Sequence, residues 1–472
     1  VVVRIEAGRG LGKSALLQQF FAEADARHGA ELCALRSRCF ERESVPYKGI
    51  DGIVDSLALC IRRMSEVEAA SLQPRQIAAL SRVFPLLAKV WPSPARGEGA
   101  EPKEARRLGV AALREVLARL GDRRVLVIAI DDVHWADEDS MRVLVDLLRP
   151  PDPPALLLLL GIRADANHPL DALAQLDALV GLEVESLQLG PLAPHESELL
   201  VHMLNPSLDG ERIEQVLARA QGLPQIVHQL AQIDDAQLLD DTPDRMIVRG
   251  IIDLPREPRR LLELMAIAST PLSPRVIDAL IDEARARRDE SGEVLAGSEP
   301  AAAMLEILLD QGLLRCEAPP DGSGRVLLEV SHAHLRELIV AELTPRELAR
   351  RHRELARVLE RFDAEPETLA DHWEQGQRPQ HAVRCAELAA RQAAGQLAFA
   401  RAVAAYRRAI RALGDLSIEP VDELRIELVE QLIALGQLRE AIELLLELAG
   451  RSKPERAALL RRRAAWLLIE DG

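Results

Sequence analysis

The sequence predicts a multidomain chain: an α/β domain built on a parallel sheet comes first, and helical domains follow it. Three observations carry this. A glycine-rich loop, Ala7 to Ser14, joins an apolar run to a helical pattern. Two further runs, Val125 to Ile130 and Leu156 to Leu160, are apolar without alternation, as strands covered on both faces are. Helical periodicity dominates from Pro194 onward, and with 48% hydrophobic but only 3% aromatic residues the cores must be packed from Leu, Ala, Val and Ile. At 472 residues three or four domains are expected. The divisions read from the pattern are 1–190, 191–253, 254–345 and 346–472.

The first element is the strand Val1 to Glu6, and the loop after it has the chemistry of a phosphate cradle. A triphosphate needs inward-pointing backbone N–H groups, a mobile ammonium and a hydroxyl for a metal. Gly8, Gly10 and Gly12 free the backbone to supply the first, with Arg9 and Leu11 between them. Lys13 reaches the β- and γ-phosphates, Ser14 ligates Mg²⁺, and Ala15 continues a helix whose positive end faces the anion. The nucleotide-binding set is thus Gly8 to Ala15. Against the strict pattern G-x-x-x-x-G-K-[ST], Ala7 replaces the first glycine, which would widen the entry turn or weaken binding.

A second strand is read at Glu31 to Cys39. The mixed charges of Glu41 to Lys48 suit a solvated loop, with Pro46-Tyr47 set beside the nucleotide, before a helix around Ile50 to Ile61. Residues 65–103 are weakly patterned and end in a Pro- and Gly-rich loop, and a helix then runs from Lys103 to Leu120. The strand Val125 to Ile130 ends in Asp131-Asp132, at the edge where doubly wound sheets bind ligands. Asp131 would hold Mg²⁺ through water, while Asp132 would polarise the attacking water or support Asp131. The next strand ends in Gly161-Ile162-Arg163, where Arg163 either senses the γ-phosphate or pairs with a nearby carboxylate. A fifth strand closes the domain at Leu182 to Leu189.

Beyond it, Gly222-Leu223-Pro224 splits two helices. Amphipathic helices over 254–283, a helix at 301–311 and a hairpin of 312–316 with 325–330 together make a winged helix, one without a basic recognition helix and so read as a packing module. In the final region Ala390, Ala402, Tyr406 and Ala409 suit a tetratricopeptide-like hairpin, and Gly436 to Ala441 repeats a helix entry after 39 residues rather than 34. The net charge of −16 disfavours nucleic acid as a partner. Five scattered cysteines fit a reducing cytoplasm, and no run is long enough to cross a bilayer. The start without Met suggests a piece of a longer polypeptide.

With these residues in view, the chain resembles the STAND class of AAA-related P-loop ATPases. Asp131-Asp132-Val133-His134-Trp135-Ala136-Asp137 is similar to a block typical of that class, and Gly190-Pro191-Leu192, Gly222-Leu223-Pro224 and Ser331 to Glu337 are supporting matches. Arg38 to Lys48 resembles the ATPase and repeat region of bacterial PknK-type serine/threonine kinases, with a related likeness to LuxR-type regulators. The resemblance implies a switch: ADP held closed between P-loop domain, lid and winged helix, with ATP and an inducer favouring an open, self-associating state. It places Pro224 against the adenine or ribose. His332 matches a histidine that contacts the β-phosphate, unless it is a core histidine at a helix start. The expected activity is slow ATP hydrolysis, because Asp132 is shorter than the Glu of fast AAA machines. An attached output domain such as a kinase would be controlled, with the helical repeats binding a protein partner or inducer. The alternative is a repeat scaffold with structural or no nucleotide, while a DNA loader is disfavoured by the charge.

Overall fold

The computed structural model describes residues 1–40, 46–92, 101–164, 183–231, 243–268, 270–290, 301–317, 326–331, 333–414 and 418–471. Contacts divide the chain into two units that interleave along the sequence. The first takes residues 1–40, 123–135 and 155–347; the second takes 41–122, 136–154 and 348–472.

The first unit is built on a parallel sheet of five strands in the order β2-β3-β4-β1-β5. They are β1 (Val2–Ala7), β2 (Leu32–Arg38), β3 (Val125–Asp131), β4 (Leu157–Arg163) and β5 (Val184–Leu189). The runs without alternation lie inside the sheet: β3 is buried at every residue after Val125, and Leu158, Leu159 and Leu160 of β4 are buried too. The strand with polar alternation, β5, is the exposed edge. Leu17 and Phe21 of the helix Lys13–His28 pack on Ile5, Val127, Ala129 and Leu159 of the sheet, which seats the helix start at the carboxyl edge of β1.

Three helices follow, Pro194–Leu204, Gly210–Ala220 and Pro224–Ala231, closed around Val201, Val216, Val227 and Leu230. Their starts are chemically marked. Pro194 sits at the first turn while the Glu196 carboxylate accepts the Ala193 N–H at 2.7 Å, and Asp209 caps the second helix through the Arg212 N–H at 2.8 Å. The unit continues through helices Pro243–Asp253, Arg256–Ile267, Pro274–Glu290 and Ala301–Asp310 to an antiparallel pair, β6 (Leu314–Glu317) and β7 (Leu327–Val330), and then the helix Ala333–Ala341. Leu272 adds a bridge to Leu328 of β7. The turn between β6 and β7 lies outside the described residues.

In the second unit, the weakly patterned stretch, for which no element was read from the sequence, holds short helices at Glu66–Ser71 and Ile77–Val83, while most of the loop expected at its end lies outside the described residues. The first is set by a capping box in which Ser65 and Glu68 satisfy each other's backbone N–H, so a local pair outweighed the poor periodicity. Around them lie Lys48–Arg62, Pro102–Gly121 and Glu138–Leu148. From Pro366 to the end the helices run Pro366–Gln375, Pro379–Gly395, Phe399–Leu413, Ile418–Leu435, Leu438–Arg451 and Pro454–Asp471. Successive breaks place a left-handed residue just past the helix end: Gln377, Leu397, Gly414 and Gly436. Ala402 and Ala441 each stand fourth in their helices and are both fully buried. Among the described residues no helix is long and apolar enough to cross a membrane.

Tyr47 departs from expectation. It is buried, packs at a tilt against the Phe84 ring, and donates its hydroxyl to the Leu397 carbonyl at 2.8 Å, so within the second unit it is a structural anchor where a surface loop residue was expected. Beside it Asp139, with no exposure at all, accepts the Arg401 N–H at 3.1 Å and faces the Arg106 guanidinium at 3.7 Å. Desolvation outweighs both partners and pushes its carboxyl up to about 6. Because the folded pKa exceeds the unfolded one, the chain holds this proton more tightly when folded, and stability falls as pH rises from about 4 to about 6. Denaturation of Asp139→Asn, which keeps an acceptor for Arg401, is expected to lose that part of the pH dependence when measured against the parent chain over pH 4–7.

Candidate functional site

The loop after β1 has the conformation its glycines were expected to supply, with one refinement. Gly10 and Gly12 have φ of +75° and +92°, the left-handed region that a side chain disfavours, whereas Gly8 and Ala7 do not. Ala7 ends β1 in extended backbone that any residue adopts, so replacing the first glycine imposes no conformational strain. A Cβ built on Gly12 would meet nothing within 4 Å, so open space lies against the loop there. Gly8 and Leu11 touch across the turn, since a Gly8 Cβ would lie 3.4 Å from Leu11 Cδ1. Ala15 is exposed on the first helical turn.

Lys13 is buried and its ammonium donates to the carbonyls of Ala7 and Gly8 at 3.1 and 3.2 Å, inside the loop. Ser14 donates its hydroxyl to Asp131 Oδ2 at 2.5 Å, a contact between residues 117 positions apart. The two expected metal-holding groups are therefore adjacent. The donor set of one hydroxyl and one carboxylate, both hard oxygens, beside a glycine loop with open space at Gly12 fits Mg²⁺ with a polyphosphate. Bound there, the cation would neutralise phosphate oxygens, and Ser14 and Asp131 would hold it.

Asp132 follows at φ +54°, its N–H donating to Asp131 Oδ1 at 2.9 Å. Burial and the neighbouring Asp131 charge raise its pKa, opposed by Arg38 and Lys13. Arg163 ends β4 in register with Ala7, at the same sheet edge as the loop. Pro224 opens the helix Pro224–Ala231, and the N–H of the next residue, Gln225, donates to the Gly10 carbonyl at 3.3 Å. The two short motifs meet as well: the Leu192 N–H donates to the Gly222 carbonyl at 2.8 Å, and a Cβ on Gly222 would lie 2.5 Å from Leu192 O. His332 lies outside the described residues.

Four contributors escaped the sequence reading. Arg38 ends β2 opposite Asp131 and pairs with Asp132 at 3.5 Å; its place at the end of an alternating strand was the available signal. Gln225, directly after the Gly222-Leu223-Pro224 motif, sits against Gly10, and Glu337, the last residue of the block quoted from Ser331, takes the Arg9 guanidinium at 2.7 Å. Gly161 of β4 leaves room for the acid, since a Cβ there would lie 2.5 Å from Asp131 Oδ1.

With this geometry in place, the comparisons decide the family of the region. Residues 5–160 match the model described as an AAA ATPase domain. This region is an AAA-related P-loop ATPase domain. The fold of the chain as a whole is similar to that of a Signal Transduction ATPase with Numerous Domains (STAND) protein with a tetratricopeptide repeat sensor from Pyrococcus horikoshii. That likeness has a TM-score of 0.56 at 14% identity and covers 99% of this chain and 62% of that one. The chain thus spans less than two thirds of that STAND ATPase. Other similar structures are a Walker-type ATPase of Pyrococcus abyssi (TM-score 0.32, 14% identity, 72% of this chain and 90% of that one) and Cdc6p from Pyrobaculum aerophilum (0.29, 14%, 73% and 88%). No curated protein matches the chain.

Gly161→Ala tests the seating of the acid. The added methyl displaces the Asp131 carboxylate from Ser14, and Mg²⁺-dependent nucleotide binding is expected to weaken about tenfold or more, in the range measured for supporting residues of metal sites. Circular dichroism should stay unchanged, and titration with labelled nucleotide at several Mg²⁺ concentrations reads the effect.

Proposed function

We propose that this chain is an ATP-binding signalling switch with slow hydrolysis, whose C-terminal helices bind a protein partner or inducer and which regulates an attached output domain such as a serine/threonine kinase. The single observation behind it is the Ser14–Asp131 contact at 2.5 Å with the Lys13 ammonium held in the adjoining loop. In this reading Gly8 to Ala15 cradle the phosphates, Ser14 and Asp131 hold Mg²⁺, Lys13 offsets the charge of the β- and γ-phosphates, and Asp132 orients the attacking water. Arg163 stands at the edge where a γ-phosphate would lie, and Pro224 and His332 would approach the nucleotide from the lid and from the helix after β7.

The division at 190, 253 and 345 into ATPase core, lid, winged helix and tetratricopeptide-like repeats belongs to the same proposal. So do a cytoplasmic setting and self-association in the ATP state. Helices before and after the β6–β7 pair, with Leu272 bridging to β7, support the winged-helix reading. The recurring left-handed helix ends support the repeats. Direct contacts of the lid with the loop, through Gln225 and Gly10, support a site that opens and closes.

Equilibrium binding of labelled ATP and ADP, with turnover on the same samples, tests the reading. The parent chain is expected to bind both, to distinguish them, and to turn over ATP on the order of 10⁻² s⁻¹ or slower, as unassisted P-loop switches do. Lys13→Ala should weaken binding about 100-fold, and Asp132→Asn should lower turnover while leaving binding intact. Indifference to ATP against ADP would favour a scaffold, and fast turnover lost in Asp132→Asn would favour a motor-like ATPase.

A further inference from the structure

Arg38 joins the phosphate site to the β6–β7 hairpin. As the last residue of β2 it stands in register with Asp131, so its side chain emerges at the edge where the acids lie. Among the described residues its guanidinium meets two carboxylates: Nε faces Asp132 Oδ2 at 3.5 Å, and Nη1 donates to Glu329 Oε1 of β7 at 3.2 Å. The same Glu329 oxygen accepts Arg315 Nε of β6 at 2.6 Å. Four charges thus alternate in a row, Arg315, Glu329, Arg38 and Asp132. The Phe40 ring lies 5.0 Å from the Arg38 guanidinium carbon and gives it a further surface to rest on.

Burial makes the row asymmetric. The Glu329 side chain is 4% exposed and must keep a cationic partner, which Arg315 supplies even if Arg38 withdraws. Arg38 is 30% exposed, so an exchange of partner costs it less desolvation than it would cost Glu329. A second tie between loop and hairpin region, Arg9 to Glu337, uses a carboxylate that is 61% exposed and adds little strength. The buried Glu329 pair is the one able to transmit a state.

We propose that Arg38 reports the occupancy of the γ-phosphate position to the β6–β7 hairpin: without that phosphate it ties Asp132 to Glu329, and with it Arg38 turns to the added negative charge, leaving the hairpin held by Arg315 alone. The driving force is Coulombic. A γ-phosphate places further negative charge at the edge where Arg38 already compensates Asp132, and in a half-buried site an added charge at short range outweighs one partner of a carboxylate that has two. The inference rests on the ATP-binding reading above and goes beyond it by naming the residue that reads the nucleotide and the element that responds.

Hydrogen exchange of the β7 amides Leu327 to Val330 and of Leu272, with no nucleotide, with ADP and with a non-hydrolysable ATP analogue, tests it on the whole chain. In the parent, exchange is expected to quicken about tenfold with the ATP analogue over ADP, the scale of an ordinary coupling between sites. Glu329→Gln should exchange at the fast rate in every state, and Arg38→Gln should lose the response to nucleotide. Arg38→Lys, which keeps the charge, should regain part of the response and guards against reading a folding defect as a loss of signal. Nucleotide binding is measured on the same samples. If neither nucleotide binds, the ATP reading fails while the Arg38–Glu329 pair is still measured by a double-mutant cycle on thermal unfolding. If the analogue binds and β7 exchange equals that with ADP, or if Arg38→Gln responds like the parent, the inference is overturned.

Discussion

The hydroxyl of Ser14 against the carboxylate of Asp131 is the contact on which the site depends, and it exists only because of the strand order. The loop that carries Ser14 follows β1, the acid ends β3, and β4 runs between these strands, so both groups leave the sheet at one edge with a single strand separating them. Whatever ends β4 must leave space. Gly161 does so, and the following Ile162 and Arg163 complete the strand in register with the end of β1. Three sequence-distant features, a glycine loop, an acidic strand end and a strand glycine, thus become one arrangement through the pairing of parallel strands.

Much of this was legible in the sequence because the relevant signals are local. Continuous apolar runs marked β3 and β4, and the spacing Gly10 to Ser14 marked a phosphate loop before any contact was known. What stayed hidden depends on pairings across long separations. Arg38 acquires meaning only when β2 lies beside β3, and Gln225 only when a helix begun by Pro224 reaches Gly10. The anchoring of Tyr47 was hidden for the same reason: it stands next to a charged loop in sequence, yet its hydroxyl donates to a carbonyl 350 residues away. The weak periodicity of 65–103 concealed helices held by a capping box and by the Trp91 indole, which donates to the Ala69 carbonyl at 3.1 Å.

Both units bury charge, and they do so differently. At the site the groups alternate in sign, and Arg38 and Asp132 keep partial access to water while Glu329 does not, so an exchange of partner costs Arg38 the least. In the second unit Asp139 is sealed, and its pairing with Arg106 at 3.7 Å is too long to repay the loss of hydration, which is why its pKa rises. Glu367, pushed the same way by burial, is held by Arg401 at 2.7 Å. Buried ion pairs of this kind often contribute no more to stability than apolar residues of the same volume would.

The interleaving of the units gives the turn at 396–401 a particular position along the chain. The sequence leaves the first unit just after Arg38 and again just after Asp132, at residues 40 and 135. Within each excursion an early residue is fastened by the C-terminal helices: Tyr47 by the Leu397 carbonyl and Asp139 by the Arg401 N–H. The 396–401 turn therefore fixes, within the second unit, the starts of two segments that follow in sequence from the arginine and the acids. Continuity alone is not coupling. It becomes coupling if the turn has two arrangements whose free energies differ with the state of the site, and the buried Asp139 carboxyl, which must keep an acceptor role in either arrangement, restricts how many such arrangements exist.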